Sequence, residues 1–380
     1  MMDYEKLLAE AKKKIDRRME KNPPESEFYE DCGTYDKNEY EPQALDMSSV
    51  NWTRSFLNGA VAYLYFHYKE EKYLDYLKKT VPVHRDYIYS KLKEAHHDDG
   101  FRMSLTLVAL YKLTGDEEIK RLAITAADQL VKRFVPKVGI IAGFGAAYGA
   151  DRTQTIIDDM MNIALLMWAE KETGNSFYRC VYTSHIKTIL RDVKRDDNSF
   201  RHSFLWDAKT GEPLSELNYC GYSVGSIWSR GQSWVLYGLI NALDITRDET
   251  LYVPQINGLL DMLLSHLKEY PVPKWDLNML GNDTSLWDSS AAAIIVSALL
   301  KLKEIPIRSS WNGLSINYSE KIEEIMECLI EDFWAKPEKD NILEGGQYGN
   351  QMCGCVWGDY FMVEALVRKL HGAETPDFWV

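Results

Sequence analysis

Six short clusters of aromatic and ionisable residues recur along the 380-residue chain, each at or just before the start of a segment with helical periodicity. In chain order they read NWTRSF from Asn51, HHDDGF from His96, IIDDMMN from Ile156, WSRGQSW from Trp228, LWDSSAAA from Leu286 and VWGDYF from Val356. Indole rings pack against the apolar face of a sugar, and carboxylates and arginine bind its hydroxyl groups. If the six clusters meet at one place, they therefore predict a sugar-binding cup.

Asp98 and Asp158 are the main candidates for catalysis, because each lies in an acidic doublet beside apolar residues, where burial would be costly without a purpose. Adjacent helical residues point to different faces, so we expect one member of each doublet to enter the cup and the other to be a solvated or capping carboxylate. Two inward carboxylates are the minimum for glycosidic chemistry. For Asp288 and Asp359, a helix N-cap role explains the sequence at least as well as a functional one.

Metal and nucleotide sites have weaker support. The consecutive residues from His96 to Asp98 are not expected to aim at one ion, and the chain contains no H-E-x-x-H motif and no paired C-x-x-C. Cys353 and Cys355 form a single C-x-C, and the glycines from Gly139 to Gly149 lack the Lys-Ser/Thr of a phosphate-binding loop. We therefore predict no metal and no cofactor.

The elements that must position the clusters are helices joined in hairpins. A 3.6-residue period dominates, and the main non-helical candidates are SFRHSFLW from Ser199 and GIIAGFG from Gly139. Polar turns between helices lie in YFHYKEEKYLDY from Tyr65, LYKLTGDEEIKR from Leu110, WAEKETGNSFYR from Trp168 and NALDITRDETLY from Asn241. Two further hairpins pair 286–305 with 319–333, and the helix from Trp357 with the N-terminal helix. Six hairpins predict an all-α fold, a closed (α/α)6 toroid, with a superhelical solenoid as the alternative.

Composition indicates where the protein acts. No Pro/Gly/Ser linker divides the chain, so we expect one domain over residues 1–380, with residues 1–48 forming an N-terminal helix and an extended lead-in. The net charge of −13 disfavours nucleic acid and anionic membranes as partners. Six cysteines are too sparse for a disulfide scaffold, the first twenty residues contain no apolar signal region, and the apolar stretch 289–300 is too short to span a bilayer. We expect a cytoplasmic protein with reduced thiols and no membrane attachment.

The clusters resemble those of the unsaturated glucuronyl hydrolases, glycoside hydrolase family 88, from about Trp52 to the end of the chain. Six motifs in one order carry the resemblance: W-T-x-x-F at Trp52, H-H-D-x-G-F at His96, I-I-D-x-x-x-N at Ile156, W-x-R-G-Q-x-W at Trp228, D-S-S-A at Asp288 and W-G-D-Y at Trp357. The resemblance implies an (α/α)6 barrel that needs no metal. It also implies a substrate, an unsaturated disaccharide or oligosaccharide made by a polysaccharide lyase, whose C4=C5 double bond is hydrated before the aglycone leaves.

The resemblance further implies roles for individual residues. Asp158 would be the general acid/base that protonates C4 and activates the water adding at C5, and Asp98 would bind ring hydroxyls. A carboxyl group kept partly protonated by apolar neighbours and a second aspartate fits such an acid. The implied sugar subsite comprises Trp52, His97, His202, Trp228, Arg230 and Trp234. From the residues alone, His202 is equally a structural histidine, and Arg230 is either a ligand for the substrate carboxylate or part of a structural cation–π stack.

Two departures from the family pattern bear on substrate choice. This chain has Tyr219-Cys220 where many members have a His-Gln pair, which removes one polar contact to the substrate. The loop from Glu344 to Cys355 contains no Lys or Arg, which favours unsulfated disaccharides. The alternatives are an unsaturated rhamnogalacturonyl hydrolase of the related family 105 and a non-catalytic carbohydrate-binding toroid. The H-H-D motif favours the glucuronyl family.

Overall fold

The computed structural model describes residues 2–25, 50–90, 95–145, 153–279, 286–307, 318–348 and 351–380. Within these ranges the α-helices are α1 (Tyr4–Lys21), α2 (Trp52–Tyr68), α3 (Glu71–Ser90), α4 (Asp99–Met103), α5 (Ala109–Thr114), α6 (Glu117–Val131), α7 (Asp159–Asn162), α8 (Ala164–Thr173), α9 (Ser176–Thr188), α10 (Ser229–Thr246), α11 (Glu249–Ser265), α12 (Ser289–Glu304), α13 (Tyr318–Asp332) and α14 (Val356–His371). A π-helical segment, Ser104–Val108, joins α4 to α5, and another, Ile189–Val193, extends α9. A 3₁₀ turn, Gly372–Glu374, follows α14.

Six helical columns form a closed inner ring. Around the ring, α2 contacts the α4–α5 column, which contacts α7 and α8, followed by α10, α12 and α14, and α14 returns to α2. The helices α3, α6, α9, α11 and α13 each pack on the preceding inner column, and α1 packs on α14. Every residue of α12 from Ser289 to Leu302 is buried, whereas the outer helix α13 buries only one face. The predicted (α/α)6 toroid is confirmed, including the N-terminal helix as the sixth outer member.

The four predicted hairpin turns all gather at one end of the ring. Each inner helix there ends in a left-handed residue, which directs the chain out of the helix: Lys69, Gly115, Gly174 and Arg247. Three of the outer helices that follow begin with a side chain accepting a hydrogen bond from the first turn: Asp116, Asn175 and Asp248. These turns are local structures, so short stretches of sequence were sufficient to predict them.

The opposite end of the ring carries longer connections with small antiparallel sheets. Their strands are β1 (Phe134–Val135) with β2 (Ile140–Ile141), then β3 (Gln154–Ile156), β4 (Ser203–Trp206) and β5 (Pro213–Leu217), and finally β6 (Gly346–Tyr348) with β7 (Gln351–Cys353). β2 and β4 lie in the two stretches predicted to be non-helical. The Ile156–Ser203 pairing of β3 with β4 places Asp158 and His202 on neighbouring segments, and the N–H of Ile157 donates to the carbonyl of His202 at 3.0 Å.

Aromatic side chains fill the axis of the ring. Trp379 lies with its ring parallel to that of Phe361 (interplanar angle 7°, centroids 6.1 Å apart) and 5.9 Å from Phe101. The stretch from Met160 to Ala169 is entirely buried, as expected for core packing. The toroid is therefore a packed core closed beneath the cup.

Parts of the predicted architecture lie outside the described residues. These are most of the extended lead-in (26–49), the end of the glycine-rich stretch (146–149) and part of the loop before α14 (349–350). Among the helices that the structure describes, none combines the length and the apolar character needed to cross a bilayer.

Candidate active site

The first acidic doublet lies at the start of α4. Asp98 immediately precedes the helix, and its side chain is 13% exposed. Asp99 is buried and accepts hydrogen bonds from the backbone N–H of His96 (3.0 Å) and the hydroxyl of Tyr87 (2.8 Å). One carboxylate of this doublet therefore faces the cup, as expected, but Asp99 is a buried partner of Tyr87 and of the His96 N–H and not a solvated or helix-capping carboxylate.

The second acidic doublet lies at the start of α7. Asp158 precedes the helix, and within the described residues its Oδ1 atom is buried without a hydrogen-bond partner. Asp159 is fully buried and accepts hydrogen bonds from Nδ1 of His97 (3.0 Å) and the hydroxyl of Thr155 (2.7 Å). The expectation of a solvated or capping second carboxylate is wrong here, because Asp159 is an internal partner of His97.

Asn162 joins the two doublets. Its side-chain carbonyl accepts the N–H of Phe101 at 2.7 Å, and its Nδ2 atom lies 3.4 Å from Oδ1 of Asp98. The same Nδ2 atom lies 3.4 Å from the carbonyl oxygen of Asp158. This close approach of α4 to α7 requires Gly100, because a Cβ atom there would lie 2.1 Å from the carbonyl oxygen of Asn162.

The two inward carboxyl groups have opposite pKa shifts. Burial, and next the charge of Asp98, raise the pKa of Asp158 to about 7. Burial also opposes ionisation of Asp98, but the neighbouring His97 and His96 hold the pKa of Asp98 well below its usual range. At neutral pH, Asp98 is an anion and Asp158 is a mixture of acid and carboxylate.

His97 stays protonated at neutral pH. Burial alone would lower the pKa of His97, but the charges of Asp98 and Asp159 outweigh burial and raise it to about 9. Its Nδ1 atom lies 3.0 Å from Asp159 and 3.6 Å from Asp98. His97 therefore links the two doublets as an imidazolium.

The residues from His96 to Asp98 bring one ligand-type atom each to within 4.8 Å of one another. The expectation that these consecutive side chains do not aim at one point is wrong, because both imidazoles turn toward the Asp98 carboxylate. The protein itself engages both Nδ1 atoms: that of His96 accepts the N–H of Asp98 at 3.2 Å, and that of His97 donates to Asp159.

Arg230 lies on the first turn of α10, buried between two indole rings. The guanidinium carbon is 4.9 Å from the ring of Trp228 and 5.1 Å from the ring of Trp357. The second indole is thus Trp357, from the sixth cluster, and not Trp234 of the cluster that contains Arg230. Trp357 in turn stacks on the half-buried Trp52, with ring centroids 5.2 Å apart.

The Nη1 atom of Arg230 donates two hydrogen bonds, to Oδ2 of Asp288 at 2.7 Å and to the carbonyl of Gln347 at 2.6 Å. Asp288 also caps α12 by accepting the N–H groups of the helix's first turn, so the predicted cap is confirmed. Asp359 does not cap its own helix and instead accepts the N–H groups of Ile342 and Leu343, at 2.9 Å each.

Trp234 and His202 differ in their relation to the cup. Trp234 is only 1% exposed, and its ring lies 5.4 Å from that of Phe101, so the structure places it in the core beneath the cup. His202 is buried at the cup wall, 4.6 Å from the ring of Trp228. Its Nδ1 atom lies near the N–H groups of Tyr219 (3.2 Å) and Cys220 (3.1 Å) and near Oδ1 of Asn218 (3.1 Å).

His202 is neutral, because burial lowers its pKa to about 4. Because two N–H donors and one acceptor oxygen surround Nδ1, the balance of contacts favours the tautomer with the single ring proton on Nε2. Within the described residues, Nε2 is buried and has no hydrogen-bond partner. The ring therefore offers one N–H donor at the cup wall.

Sequence reasoning missed Asp159, Asn162 and Trp357 as parts of this site. All three lie inside the six clusters identified from the sequence, so membership of a cluster could have indicated that they belong to the site. A partly protonated carboxyl group near an ionised one is an arrangement suited to proton transfer in glycosidic chemistry.

Residues 13–373 match the model of Glycosyl Hydrolase Family 88, and the chain belongs to that family. It is 31% identical over 330 residues to an unsaturated chondroitin disaccharide hydrolase of Streptococcus pneumoniae, covering 85% of this chain and 82% of the relative. It is 29% identical over 339 residues to an unsaturated glucuronyl hydrolase of a Bacillus species, covering 85% and 87% of the two chains.

Solved structures agree with this family assignment. The unsaturated glucuronyl hydrolase of the Bacillus species superposes with a TM-score of 0.87 at 25% identity, covering 98% of each chain. The enzyme from Streptococcus agalactiae also gives a TM-score of 0.87, at 28% identity, covering 99% of this chain and 93% of that one. The protein is thus a glycoside hydrolase of the unsaturated glucuronyl hydrolase type.

Proposed function

We propose that this enzyme hydrates the C4=C5 double bond of an unsaturated glucuronic acid at the non-reducing end of a disaccharide or oligosaccharide, and so releases that residue from the aglycone as a ring-opened keto acid. The observation that supports this most directly is the pKa of Asp158, about 7, beside the ionised Asp98. A group that is half protonated near neutral pH can both deliver and accept a proton.

In the proposed reaction, Asp158 donates its proton to C4, and positive charge develops at C5 and the ring oxygen. The resulting Asp158 carboxylate then takes a proton from the water whose oxygen bonds to C5. The product is a hemiketal. Cleavage of its bond between C5 and the ring oxygen leaves a ketone at C5 and a hemiacetal at C1, which releases the aglycone as an alcohol.

We propose supporting roles for the other cup residues. The Asp98 carboxylate, held in place by His97, binds ring hydroxyls and stabilises the positive charge near the ring oxygen. Arg230 and His202 supply hydrogen-bond donors for the substrate carboxylate or hydroxyls. Trp52 packs against a sugar face.

We propose that Trp228 and Trp234 do not contact the substrate but position the residues that do. Trp228 stacks on Arg230, and Trp234 packs against Phe101 on α4. In these positions they fix the groups that contact the sugar.

Turnover in heavy water separates hydration from ordinary glycoside hydrolysis. Hydration places a solvent deuteron on C4, whereas attack at the anomeric carbon forms no C–H bond. We expect deuterium at C4 of the product by NMR. Asp158→Asn should bind the unsaturated sugar with near-normal affinity and turn over about 10²-fold to 10⁴-fold more slowly, because the amide cannot cycle a proton.

Asp75→Asn is the matched control for that variant, since Asp75 is exposed on the outer helix α3 and should keep wild-type kinetics. Product without deuterium at C4 would exclude hydration. A folded Asp158→Asn enzyme with nearly full activity would show that another group is the acid.

Turnover should not depend on a divalent metal. The Nδ1 atoms of His96 and His97 are already engaged by Asp98 and Asp159, respectively. We expect kcat to be unchanged after dialysis against EDTA. Turnover is measured as the loss of ultraviolet absorbance of the conjugated double bond. Activity lost to the chelator and restored by a divalent ion would contradict the proposed mechanism.

We propose unsulfated disaccharides as the preferred substrates. The loop from Glu344 to Cys355 carries no cationic side chain to bind a sulfate. A panel of lyase-generated disaccharides from hyaluronan, chondroitin, heparin, gellan and pectin tests this choice. A preference for the pectin product would favour the rhamnogalacturonyl alternative, and binding without turnover of any substrate would favour a carbohydrate-binding toroid.

We also propose a cytoplasmic location, without nucleic acid or membrane partners. All five cysteines that the structure describes are free thiols, including the buried Cys353 and Cys355, whose sulfurs lie 3.7 Å apart. Fractionation of cells that produce the protein tests the location.

A further inference from the structure

Lys14, on α1, places its ammonium group inside a cage of backbone carbonyl groups. Its Nζ atom donates to the carbonyl oxygens of Ala335 (3.0 Å), Lys336 (2.7 Å), Lys339 (3.2 Å) and Asn341 (2.9 Å). Only 2% of Lys14 is exposed. Backbone carbonyl oxygens that converge on one point are typical ligands of a dehydrated monovalent cation. The side chain of Lys14 thus supplies the cation of a site that the chain builds around it.

The cage is the inside of a turn between α13 and β6. The turn spans residues 335–342 and is closed by a hydrogen bond from the N–H of Ala335 to the carbonyl of Ile342, at 2.8 Å. Carbonyl dipoles that point at one another repel, and buried carbonyl groups are costly to leave unpaired. Burial lowers the pKa of Lys14, and the nearby carboxylate of Asp359 opposes that shift. The turn therefore requires a cation at its centre.

The stretch of chain that begins in the cage ends at the cup. Just beyond the turn, the carbonyl of Glu344 accepts the hydroxyl of Ser289, the first residue of α12, at 2.7 Å. The carbonyl of Gln347 then accepts Nη1 of Arg230 at 2.6 Å. One short, hydrogen-bonded stretch of chain thus connects Lys14 with Arg230.

We propose that Lys14 is a positioning residue of the active site: it supplies the cation around which the turn 335–342 folds, and through Gln347 it holds Arg230 in place. The inference rests on the proposed function for the role of Arg230, whereas the carbonyl cage does not depend on that function. It gives the N-terminal helix a part in assembling the cup. It also implies that the cage accepts a free alkylammonium ion once the side chain of Lys14 is removed.

Lys14→Ala tests this inference, because the atoms that it removes, three methylene groups and the ammonium group, are those of n-propylammonium. We expect kcat/KM to fall at least about tenfold, since Arg230 loses its placement. Added n-propylammonium should restore most of the lost kcat/KM with a saturable dependence on its concentration. It should also raise the Tm of Lys14→Ala, which reports binding in the cage without turnover. n-Propanol has a similar shape without the charge and should restore neither.

Lys13→Ala is the matched control, since Lys13 is exposed on the same helix. Its kcat/KM and Tm should equal those of the wild type and should not respond to the amine. If Lys14→Ala folds only when n-propylammonium is present, the recovery of the fold, followed by circular dichroism, supports the cage directly. If the amine restores neither kcat/KM nor Tm, the inference is wrong.

A double-mutant cycle separates positioning from general stabilisation. If Lys14 acts through Arg230, Lys14→Ala should reduce kcat/KM much less in an Arg230→Ala enzyme than in the wild type. Equal reductions in both backgrounds would overturn the positioning role. If the wild-type enzyme does not hydrate unsaturated disaccharides, the proposed function fails, and the positioning role fails with it. The response of Tm to n-propylammonium would still decide whether the cage binds a cation.

Discussion

Asp98 and Asp158 are the same residue type, and their surroundings give them different protonation states at neutral pH. The pKa of Asp158 rises to about 7 through burial and through the charge of Asp98, while the imidazolium of His97 keeps Asp98 ionised. The charge of Asp159 also raises the pKa of Asp158, and it helps to hold the proton on His97. The acid of the proposed reaction thus depends on three charged neighbours.

The pH dependence of kcat/KM should report this arrangement. The proton donor is the neutral form of Asp158, so kcat/KM should be level below about pH 7 and fall tenfold per unit above it. Asp98→Asn removes a negative charge that raises the pKa of Asp158. We therefore expect the alkaline break of its residual activity at a lower pH, but still above the range of an exposed carboxyl group, because burial persists.

The test is to measure kcat/KM against pH on the same disaccharide for the wild-type enzyme and for Asp98→Asn. Asp75→Asn again serves as the control, and its break should coincide with that of the wild type. If kcat/KM of Asp98→Asn begins to fall at the same pH as that of the wild type, the charge of Asp98 does not affect the pKa of the catalytic acid.

At the scale of elements, the site depends on the contact between the first turns of α4 and α7. Neither helix carries both aspartates, and both turns are short. Gly100 allows the backbones to touch, and Asn162 fastens α4 to α7 through the N–H of Phe101. The separation of Asp98 from Asp158 is therefore set by a helix–helix contact.

Gly100→Ala should move the two aspartates apart. The added Cβ atom would lie 2.1 Å from the carbonyl oxygen of Asn162, so the backbones must shift. We expect kcat to fall at least about tenfold, because proton transfer depends on placement. The free energy of unfolding should decrease by about 1–3 kcal/mol, as for other overpacked contacts. Steady-state kinetics and urea unfolding measure the two effects.

Gly115→Ala is the control for Gly100→Ala. Gly115 has a φ of 70° in a hairpin turn at the far end of the ring, with open space around it. Alanine there should cost about 1–2 kcal/mol of stability with unchanged kcat. Equal kcat values in the two variants would show that the α4–α7 contact does not position the site.

At the scale of the whole molecule, one aromatic core both closes the toroid and supports the cup. Trp379 contacts Phe101 on α4, Tyr237 on α10, and Tyr360 and Phe361 on α14. Its ring also contacts Phe56 on α2, so Trp379 joins four inner columns that are far apart in sequence.

Trp379→Ala should destabilise the entire ring. Removing a fully buried indole leaves a cavity among the inner helices, and we expect a loss of about 3–5 kcal/mol in the free energy of unfolding in urea. Phe177→Ala, at a residue 52% exposed on α9, should change it by less than about 0.5 kcal/mol. If both variants lose similarly little free energy of unfolding, Trp379 does not stabilise the ring as a whole.

Local sequence alone was enough to predict the hairpins and the two aspartates. Left-handed helix ends and N-caps such as Asp116 depend on atoms within a few residues, so short stretches specify them. Placing six clusters at corresponding ends of six helices then implied a common cup. The acidic doublets identified Asp98 and Asp158 because charged residues beside apolar ones are costly to bury.

Only the tertiary structure decided how these residues are paired. Arg230 lies between Trp228 and Trp357, and the spacing of the tryptophans within its own cluster could not show that the second ring comes from another helix. Likewise, Trp234 turns into the core, and Asp159 is a buried partner of His97. Burial and charge–charge distances arise between segments remote in sequence, so the pKa difference that defines the acid exists only after the ring has closed.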